Sequence, residues 1–261
     1  MLKIIASMGR GGTGKTSFVA LVAKYFIEAD EKPLLLIDAD PDQSLDEMVG
    51  ANLKDTETIS DLYYELMSEG GTLAGTTPKE RMEGKIWEKG LYEGELFDLL
   101  SLGTKWTEGC YCMPNAALKA VIPSLVENYK YALIDSPAGL EHLNRKVTSR
   151  VDDIFNVLDS SKKALQHVKR AHRIIEELDI EYEHFYLIGG REFPENLDKR
   201  AERETGLKYL GKIAYDDAVR EYVLKGESLL NLPSYSPAYV SVKKIIEKAG
   251  YTSLKQLLFH E

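Results

Sequence analysis

Features of exported and membrane-embedded proteins are nearly absent from this sequence. No apolar stretch approaches the roughly 20 residues that a membrane span requires. The apolar run that precedes residue 9 is too short for the h-region of a signal peptide. We therefore expect a cytoplasmic protein with no membrane span. In that compartment its two cysteines are expected to serve metal or redox chemistry rather than a structural disulfide.

Acidic residues outnumber basic ones, 42 to 33. The formal net charge is −9, and no run of five or more basic residues occurs. A broad nucleic-acid interface needs a basic face, so we expect no nucleic-acid partner. The composition is 44% hydrophobic and 29% charged, which is typical of a globular protein. A chain of 261 residues is long enough to bury the core of one α/β domain.

Short apolar runs alternate with helical patterns, which predicts the α/β class with a mostly parallel sheet flanked by helices. The runs predicted to be strands are residues 2–6, 33–38, 96–102, 131–135, 154–159, 185–189 and 209–213. Helices are predicted over residues 16–29, 115–128 and 162–178. Pro123 is expected to kink or split the second of these helices. Residues 55–94 are expected to form a helical excursion, and residues 1–261 to form a single domain.

A glycine-rich stretch follows the first predicted strand. Residues 9–17 read Gly-Arg-Gly-Gly-Thr-Gly-Lys-Thr-Ser and fill the P-loop pattern G-x-x-x-x-G-K-[ST] without a gap. In such a loop, glycines let backbone N–H groups converge on a triphosphate. The lysine neutralises the β- and γ-phosphates, and the threonine hydroxyl completes the shell of Mg²⁺. The predicted nucleotide-binding residues are Gly9, Gly11, Gly12, Thr13, Gly14, Lys15, Thr16 and Ser17.

Two of the predicted strands end in acidic residues, at the edge of the sheet where ligands of open α/β folds bind. Asp40 is a candidate to orient or activate the attacking water, and Asp38 to support its loop. Asp135 suits the Walker B role of holding Mg²⁺ through water, with Thr16 as the other magnesium residue. Gly139 would let the following loop respond to the γ-phosphate. One acid at a strand end is often a turn residue, but two behind a P-loop indicate hydrolysis.

The only two cysteines, Cys110 and Cys112, are separated by a single residue. Two thiolates at this spacing can bind one metal ion, whereas a tetrahedral thiolate site needs four ligands. A two-fold dimer with this loop on its axis would supply all four. Thiolates favour Zn²⁺, Ni²⁺ or Cu⁺ over Mg²⁺. A redox-active pair and a pair of structural thiols are the alternatives that the spacing leaves open.

Residues 10–16 resemble the deviant Walker A motif of the MinD/ParA/nitrogenase iron-protein (SIMIBI) group of ATPases. The resemblance implies a P-loop ATPase that binds ATP or ADP with Mg²⁺ and forms a homodimer that ATP closes and hydrolysis opens. It makes Arg10 the signature catalytic residue that reaches the nucleotide of the partner, although the group usually has lysine there. The two acidic segments, 38–41 and 135–139, then correspond to switch I and switch II.

Three further stretches, residues 98–112, 135–143 and 215–229, resemble the CooC family of nickel-insertion ATPases, which mature carbon monoxide dehydrogenase. This resemblance implies a site for Ni²⁺ or Zn²⁺ formed by Cys110 and Cys112 of both subunits. It also implies a nickel enzyme as client, either carbon monoxide dehydrogenase or acetyl-CoA synthase. The sequence departs from the family at Gly190, in a segment where an asparagine commonly reads the purine.

Two other functions remain open at this point. A spatial regulator like MinD or ParA would bind a membrane or DNA in its ATP state, and residues 253–259 are amphipathic enough to be considered for this. A thiol redox-sensing ATPase would instead close a disulfide between Cys110 and Cys112.

Overall fold

The structure is a computed structural model that describes residues 2–69, 76–103, 112–138, 150–161 and 163–251. Its centre is an eight-stranded sheet. The strands are β1 (Lys3–Gly9), β2 (Leu34–Asp38), β3 (Leu91–Glu93), β4 (Asp98–Ser101), β5 (Tyr131–Asp135), β6 (Arg150–Leu158), β7 (Glu181–Gly189) and β8 (Lys208–Lys212).

The strands are arranged in the order β3-β4-β2-β5-β1-β6-β7-β8. Every neighbouring pair is parallel except β3 with β4, which is antiparallel. The prediction of a mostly parallel α/β sheet is therefore confirmed. Parallel strands all end at the same edge, so the loops after β1, β2, β4 and β5 meet there.

Helices cover both faces of the sheet. They are α1 (Lys15–Glu28), α2 (Leu45–Val49), α3 (Ile59–Ser68), α4 (Pro78–Lys85), α5 (Cys112–Val126), α6 (Ala164–Glu177), α7 (Asp198–Thr205), α8 (Asp217–Lys225) and α9 (Pro237–Lys248). One apolar cluster joins the sheet to α1, α2 and α9, and a second joins its other face to α3, α4, α5, α6 and α7. Because both faces are covered, the strands read as continuous apolar runs rather than as an alternating pattern.

Most predicted elements are confirmed, with corrections at their ends. Strands β6 and β7 begin four residues earlier than predicted, at Arg150 and Glu181, because polar residues occupy the first positions of both strands. Of the two effects predicted for Pro123, a kink or a split, the split is wrong, since α5 continues through the proline. Buried side chains on both sides of the proline, including Ile122 and Leu125, hold the helix on the sheet.

The excursion predicted over residues 55–94 is partly helical. It contains α3 and α4, the latter continued by a π-helical turn at Ile86–Gly90. Each of these two helices begins with a capping box, at Thr58 with Asp61 and at Thr77 with Glu80. The segment then ends in β3, an edge strand that the sequence analysis did not predict. Among the described helices, none is long and apolar enough to cross a membrane.

Candidate functional site

The P-loop joins β1 to α1 at the carboxyl edge of the sheet, and residues 9–17 all lie there. Gly14 is the residue that caps α1, with a φ of +94° that favours glycine. Lys15 is buried, with 7% of its surface exposed, and its Nζ donates to the carbonyl oxygen of Arg10 at 3.3 Å. The N–H groups of the first turn of α1 therefore face the same loop as the lysine, as an anion site at a helix N-terminus requires.

The P-loop rests against the backbone of two neighbouring strands. A β-carbon at Gly9 would lie 2.5 Å from the carbonyl oxygen of Val157, at the end of β6. A β-carbon at Gly190, just after β7, would lie 2.6 Å from the carbonyl oxygen of Thr13. No side chain fits at either position without displacing backbone, so both glycines are needed for the loop to reach this position.

Asp38 and Asp135 are neighbours at the ends of β2 and β5, where they are paired in register. Both are fully buried. The carboxylate of Asp38 accepts hydrogen bonds from the backbone N–H groups of Asp40 and Leu45, each at 3.0 Å. Burial, and then the charge of Asp135, raise the pKa of Asp38 to about 8. Asp38 thus folds the loop after β2 around its own carboxylate.

Asp135 differs from Asp38 in its hydrogen bonding. Neither of its carboxylate oxygens has a hydrogen-bond partner among the residues that the structure describes. Burial raises its pKa to about 7, although the nearby Thr16 hydroxyl and Lys15 ammonium group oppose this. Two buried, unpartnered carboxylate oxygens beside a threonine hydroxyl and a P-loop are the donor set that Mg²⁺ prefers. The residues present therefore fit a magnesium ion held by Asp135 and Thr16.

Asp40 and Gly139 are the other two residues predicted to belong to the switch segments. Asp40 is half-buried, and its Oδ1 accepts from the backbone N–H of Asp42 at 3.1 Å. It lies directly after β2, on the same edge as the P-loop. Gly139, the candidate hinge of switch II, lies outside the described residues. Of the two acids proposed for switch I, Asp38 shapes the loop and Asp40 is the one with access to solvent.

Arg10 is held by its own chain. Its Nη1 donates to Asp159 Oδ2 at 2.8 Å and to Ser161 Oγ at 2.7 Å. Both acceptors lie just after β6, and the Arg10 side chain is 43% exposed. The residue predicted to reach across a dimer is therefore bound in cis in this conformation.

A cavity of about 260 Å³ opens beside the P-loop. Its lining combines apolar side chains with charged ones of both signs, and its size and position suit the base and ribose of a nucleotide. Its lining residues are Thr13, Gly14, Ser17, Leu21, Arg191, Glu192, Ile213, Ala214, Tyr215, Asp216, Val219, Arg220 and Ala238. Position 190 contributes no side chain to it, whereas Arg191, Glu192 and Tyr215 are among its polar lining residues.

The cysteine pair falls at the boundary of the described residues. Cys110 lies outside them, and Cys112 is the first residue of α5. The backbone that leads toward the pair is tied to the acidic site, because the N–H of Leu102 donates to the carbonyl oxygen of Asp38 at 2.8 Å. The carbonyl oxygen of Leu102 accepts from the N–H of Ser60 at 3.0 Å. The segment that carries the thiols therefore starts from the nucleotide edge of the sheet.

Sequence reasoning missed two groups of residues in this site. The first is Asp159 with Ser161, although Asp159 follows an apolar strand just as Asp38 and Asp135 end theirs. The second is a pair of buried serines, Ser7 and Ser101, which give no motif signal. Only the register of the strands reveals that they flank the two acids.

The comparison with known proteins agrees with this geometry. Residues 4–230 match the CobQ/CobB/MinD/ParA nucleotide binding domain family. Because the match extends over most of the chain, the protein belongs to this family.

Individual relatives are similar along almost their entire length. The chain is 36% identical to the uncharacterized ATP-binding protein MJ0685 of Methanocaldococcus jannaschii, covering 94% of this chain and 97% of that protein. It is 24% identical to the carbon monoxide dehydrogenase accessory protein CooC of Rhodospirillum rubrum, covering 95% and 98%. The septum site-determining protein MinD of Pyrococcus horikoshii, in complex with Mg-ADP, superposes with a TM-score of 0.69 at 20% identity, covering 95% and 96%.

Proposed function

We propose that this protein is an ATPase that dimerises on binding ATP and carries nickel to a nickel enzyme through Cys110 and Cys112. The observation that carries the ATPase assignment is the buried pair Asp38 and Asp135, in register beneath a complete P-loop. The relative from Methanocaldococcus jannaschii is named as ATP-binding, and the relative from Pyrococcus horikoshii is a Mg-ADP complex.

Each residue of the site has a defined task in hydrolysis. The P-loop backbone and Lys15 hold the β- and γ-phosphates. Asp135 and Thr16 would hold Mg²⁺, which offsets the charge of the phosphate oxygens when it is bound. Asp38 fixes the loop after β2, so that Asp40 faces the nucleotide edge and orients water there. Arg10 supplies a further positive charge once it leaves Asp159.

The nickel assignment rests on the Cys-x-Cys pair and on similarity to CooC, the carbon monoxide dehydrogenase accessory protein. Each chain supplies two thiolates, so a four-ligand site requires two chains. The backbone contact between Leu102 and Asp38 gives a direct route by which a change at switch I would move the start of the cysteine segment. The client is a nickel enzyme, carbon monoxide dehydrogenase or acetyl-CoA synthase.

The test is a titration of the reduced full-length protein with Ni²⁺ and Zn²⁺, in ADP and in a non-hydrolysable ATP analogue, with the molecular mass measured in parallel. One tightly bound ion per dimer, lost in Cys110→Ser, supports the metal carrier. Cys112→Ser should behave alike, and both variants should still bind ATP. Lys15→Ala is the matched control, because it should lose nucleotide and leave the thiols intact.

Absence of tight metal in both nucleotide states would remove the nickel function and leave the ATPase. Two alternative functions then have their own readouts. A change of ATPase rate on oxidation that Cys110→Ser abolishes would indicate a redox sensor. Sedimentation with liposomes or DNA only in the presence of ATP would indicate a spatial regulator of the MinD or ParA kind.

A further inference from the structure

One helix of this acidic protein has a strongly basic solvent face. Residues 160–175, which lead into α6 and form most of it, contain five lysines and arginines and no aspartate or glutamate. The buried side of α6 follows the helical spacing of three and four residues and packs in the apolar cluster on the sheet. It is formed by Ala164, Val168, Ala171 and Ile175. The cations therefore lie on the opposite side of the helix, away from the core.

Four of these cations are among the described residues, and all four are exposed. They are Lys163, Lys169, Arg170 and Arg173, and together they form the basic face of α6. Lys163 and Arg170 have no hydrogen bond or ion pair with any residue that the structure describes. Lys169 lies 4.0 Å from Glu204, and Arg173 lies 3.6 Å from a glutamate one turn further along the helix. Exposed pairs at such distances are weak, so all four cations are available to a partner.

Acidic residues bound the basic face at both ends. Asp159 precedes it, and the last turn of α6 exposes Glu176 by 58% and Glu177 by 65%. The helix rises about 15 Å between Lys163 and Arg173, a length that an extended polypeptide of about five residues spans. A DNA duplex has a charge about every 1.7 Å of its axis and would also place phosphates against the flanking carboxylates. The basic face therefore suits a short acidic segment better than a duplex.

The basic face is connected to the P-loop through Ser161. The Ser161 hydroxyl accepts from Arg10 Nη1 at 2.7 Å, and its carbonyl oxygen accepts from the N–H of Ala164, the first residue of α6, at 3.0 Å. The charge of Arg10 also acts on α6 itself, because burial and then Arg10 lower the pKa of His167. While Arg10 pairs with Asp159, it neutralises the acid at the amino end of the basic face. When Arg10 leaves, that acid is uncompensated.

We infer that the basic face of α6 binds an acidic segment of a partner protein, and binds it most tightly while Arg10 is held by Asp159. The docking follows from the charges of α6 alone. Its dependence on nucleotide rests on the proposed function, in which Arg10 leaves Asp159 for the nucleotide. ATP then weakens docking, because the uncompensated Asp159 carboxylate repels an acidic segment at the amino end of the helix. The partner site is separate from the nucleotide cavity and from the cysteine pair.

The probe for this site is a fluorescein-labelled octaglutamate peptide, whose binding to the reduced full-length protein is followed by fluorescence anisotropy. Lys163→Glu/Arg170→Glu should weaken binding at least about tenfold, since it replaces two attractions by two repulsions. The matched control is Lys54→Glu/Lys244→Glu, which changes the net charge equally at two exposed lysines without described partners. Its affinity should stay within about twofold of wild type. Lys163→Gln/Arg170→Gln is the second variant if the charge reversal does not fold, and should weaken binding about threefold.

The dependence on nucleotide is measured with the same peptide in ADP and in a non-hydrolysable ATP analogue. The analogue should weaken binding about threefold in the wild-type protein. It should have no such effect in Arg10→Ala, in which Asp159 is uncompensated in both states. Equal peptide affinities in the two states of the wild-type protein, with binding of the analogue verified by calorimetry, would overturn the connection through Arg10.

Three results would overturn the docking site itself. The first is no binding of the peptide to the wild-type protein. The second is an equal loss in the control variant, which would make the effect one of net charge. The third is tighter binding of a 20-base-pair duplex or of phosphatidylserine vesicles than of the peptide, lost in the same variant, which would assign the basic face to DNA or to a membrane. Failure of the wild-type protein to bind ADP or the ATP analogue would instead refute the proposed nucleotide function, which the peptide titration without nucleotide does not require.

Discussion

Arg10 and Asp159 form an ion pair at 2.8 Å across the space between the P-loop and the end of β6. The Ser161 hydroxyl, 2.7 Å from the same Nη1 atom, completes this contact. The carboxylate of Asp159 also accepts from the backbone N–H of Ser161 at 2.7 Å, so the acid is fixed before it meets the arginine. Arg10 can reach a second subunit only by giving up both bonds.

The substitution Asp159→Asn should therefore favour the dimer. The asparagine side chain keeps an acceptor for the Ser161 N–H but lacks the charge, and a half-exposed ion pair contributes about 0.5–1 kcal/mol. We expect ATP-dependent dimerisation to strengthen about two- to fivefold, measured by analytical ultracentrifugation with a non-hydrolysable analogue. Ser161→Ala, which keeps the ion pair, should change it less. An unchanged dimerisation constant in Asp159→Asn would show that Arg10 does not limit association.

The nucleotide site was largely predictable from sequence because its chemistry is local. The P-loop is one uninterrupted stretch, and Asp38 and Asp135 each end a recognisable apolar strand. The relation between those two acids was not predictable, because it depends on the pairing of β2 with β5, which are far apart in the chain. The same holds for the Arg10–Asp159 contact, since residues 149 positions apart meet only through the sheet order.

Strand ends were likewise predictable where consecutive residues determine them, and were missed where they depend on contacts with residues far apart in the chain. The ends of β5 were predicted correctly, because an unbroken apolar run leads directly to its final residue, Asp135. The first residues of β6 and β7 were missed, since residues such as Asp152 and Asp153 are acidic and yet buried. Their burial is stabilised by partners that sequence order does not show: Asp152 accepts from the N–H of Ile4 at 2.7 Å, and Asp153 contacts His184 at 2.7 Å.

A side chain at position 190 should damage nucleotide binding. In Gly190→Ala the added β-carbon would lie 2.6 Å from the Thr13 carbonyl oxygen and 2.9 Å from that of Leu158, and backbone atoms cannot move aside cheaply. We expect at least a tenfold loss of ATP affinity, measured by calorimetry. Gly84→Ala is the control, because nothing lies within 4 Å of its added carbon and alanine suits the interior of α4.

Gly84→Ala should bind ATP like wild type and be about 0.5–1 kcal/mol more stable. Wild-type affinity for ATP in Gly190→Ala would mean that the P-loop backbone shifts to accommodate the added β-carbon. It would also mean that the close approach of β7 is not a requirement for binding.

The buried acids should make the nucleotide-free protein less stable as pH rises. The folded pKa of Asp135 is raised to about 7 and that of Asp38 to about 8, above the 3.8 expected of the unfolded chain. Between pH 3.8 and each folded pKa, the folded state therefore binds more protons than the unfolded state. The contribution of each carboxyl group to the free energy of unfolding is fully present below pH 3.8. It is lost as the pH rises through the folded pKa, at about 1.4 kcal/mol per pH unit.

Urea unfolding in EDTA between pH 5 and pH 8 measures this effect. Other groups also titrate in this range, so the difference between wild type and Asp135→Asn is the informative quantity. Asparagine is neutral at every pH, and we expect the variant to gain stability relative to wild type as pH rises from 5 to 7. A difference that is constant with pH would contradict a raised pKa at Asp135.

Lys24 should stabilise the packing of α1 against the C-terminal part of the chain, at Leu230 and Tyr239. It lies in the middle of α1 with 8% of its side chain exposed, and its Nζ donates to the Leu230 carbonyl oxygen at 2.8 Å and to Glu28 at 2.9 Å. The same ammonium group lies 5.1 Å from the ring centroid of Tyr239 in α9. Lys24→Ala removes all three contacts, including a partly buried hydrogen bond from a charged donor to the Leu230 carbonyl oxygen, which contributes about 1.5–3 kcal/mol.

The matched control for this prediction is Lys225→Ala. Lys225 also has a glutamate partner four residues away, Glu221 at 3.8 Å, but both side chains are more than half exposed, and such pairs contribute about 0–1 kcal/mol. Urea unfolding should therefore separate the two variants clearly. Equal stability losses would show that the Leu230 and Tyr239 contacts contribute nothing. ATP affinity should fall little in either variant, since the contacts of Lys24 are with Leu230, Glu28 and Tyr239 and not with the P-loop.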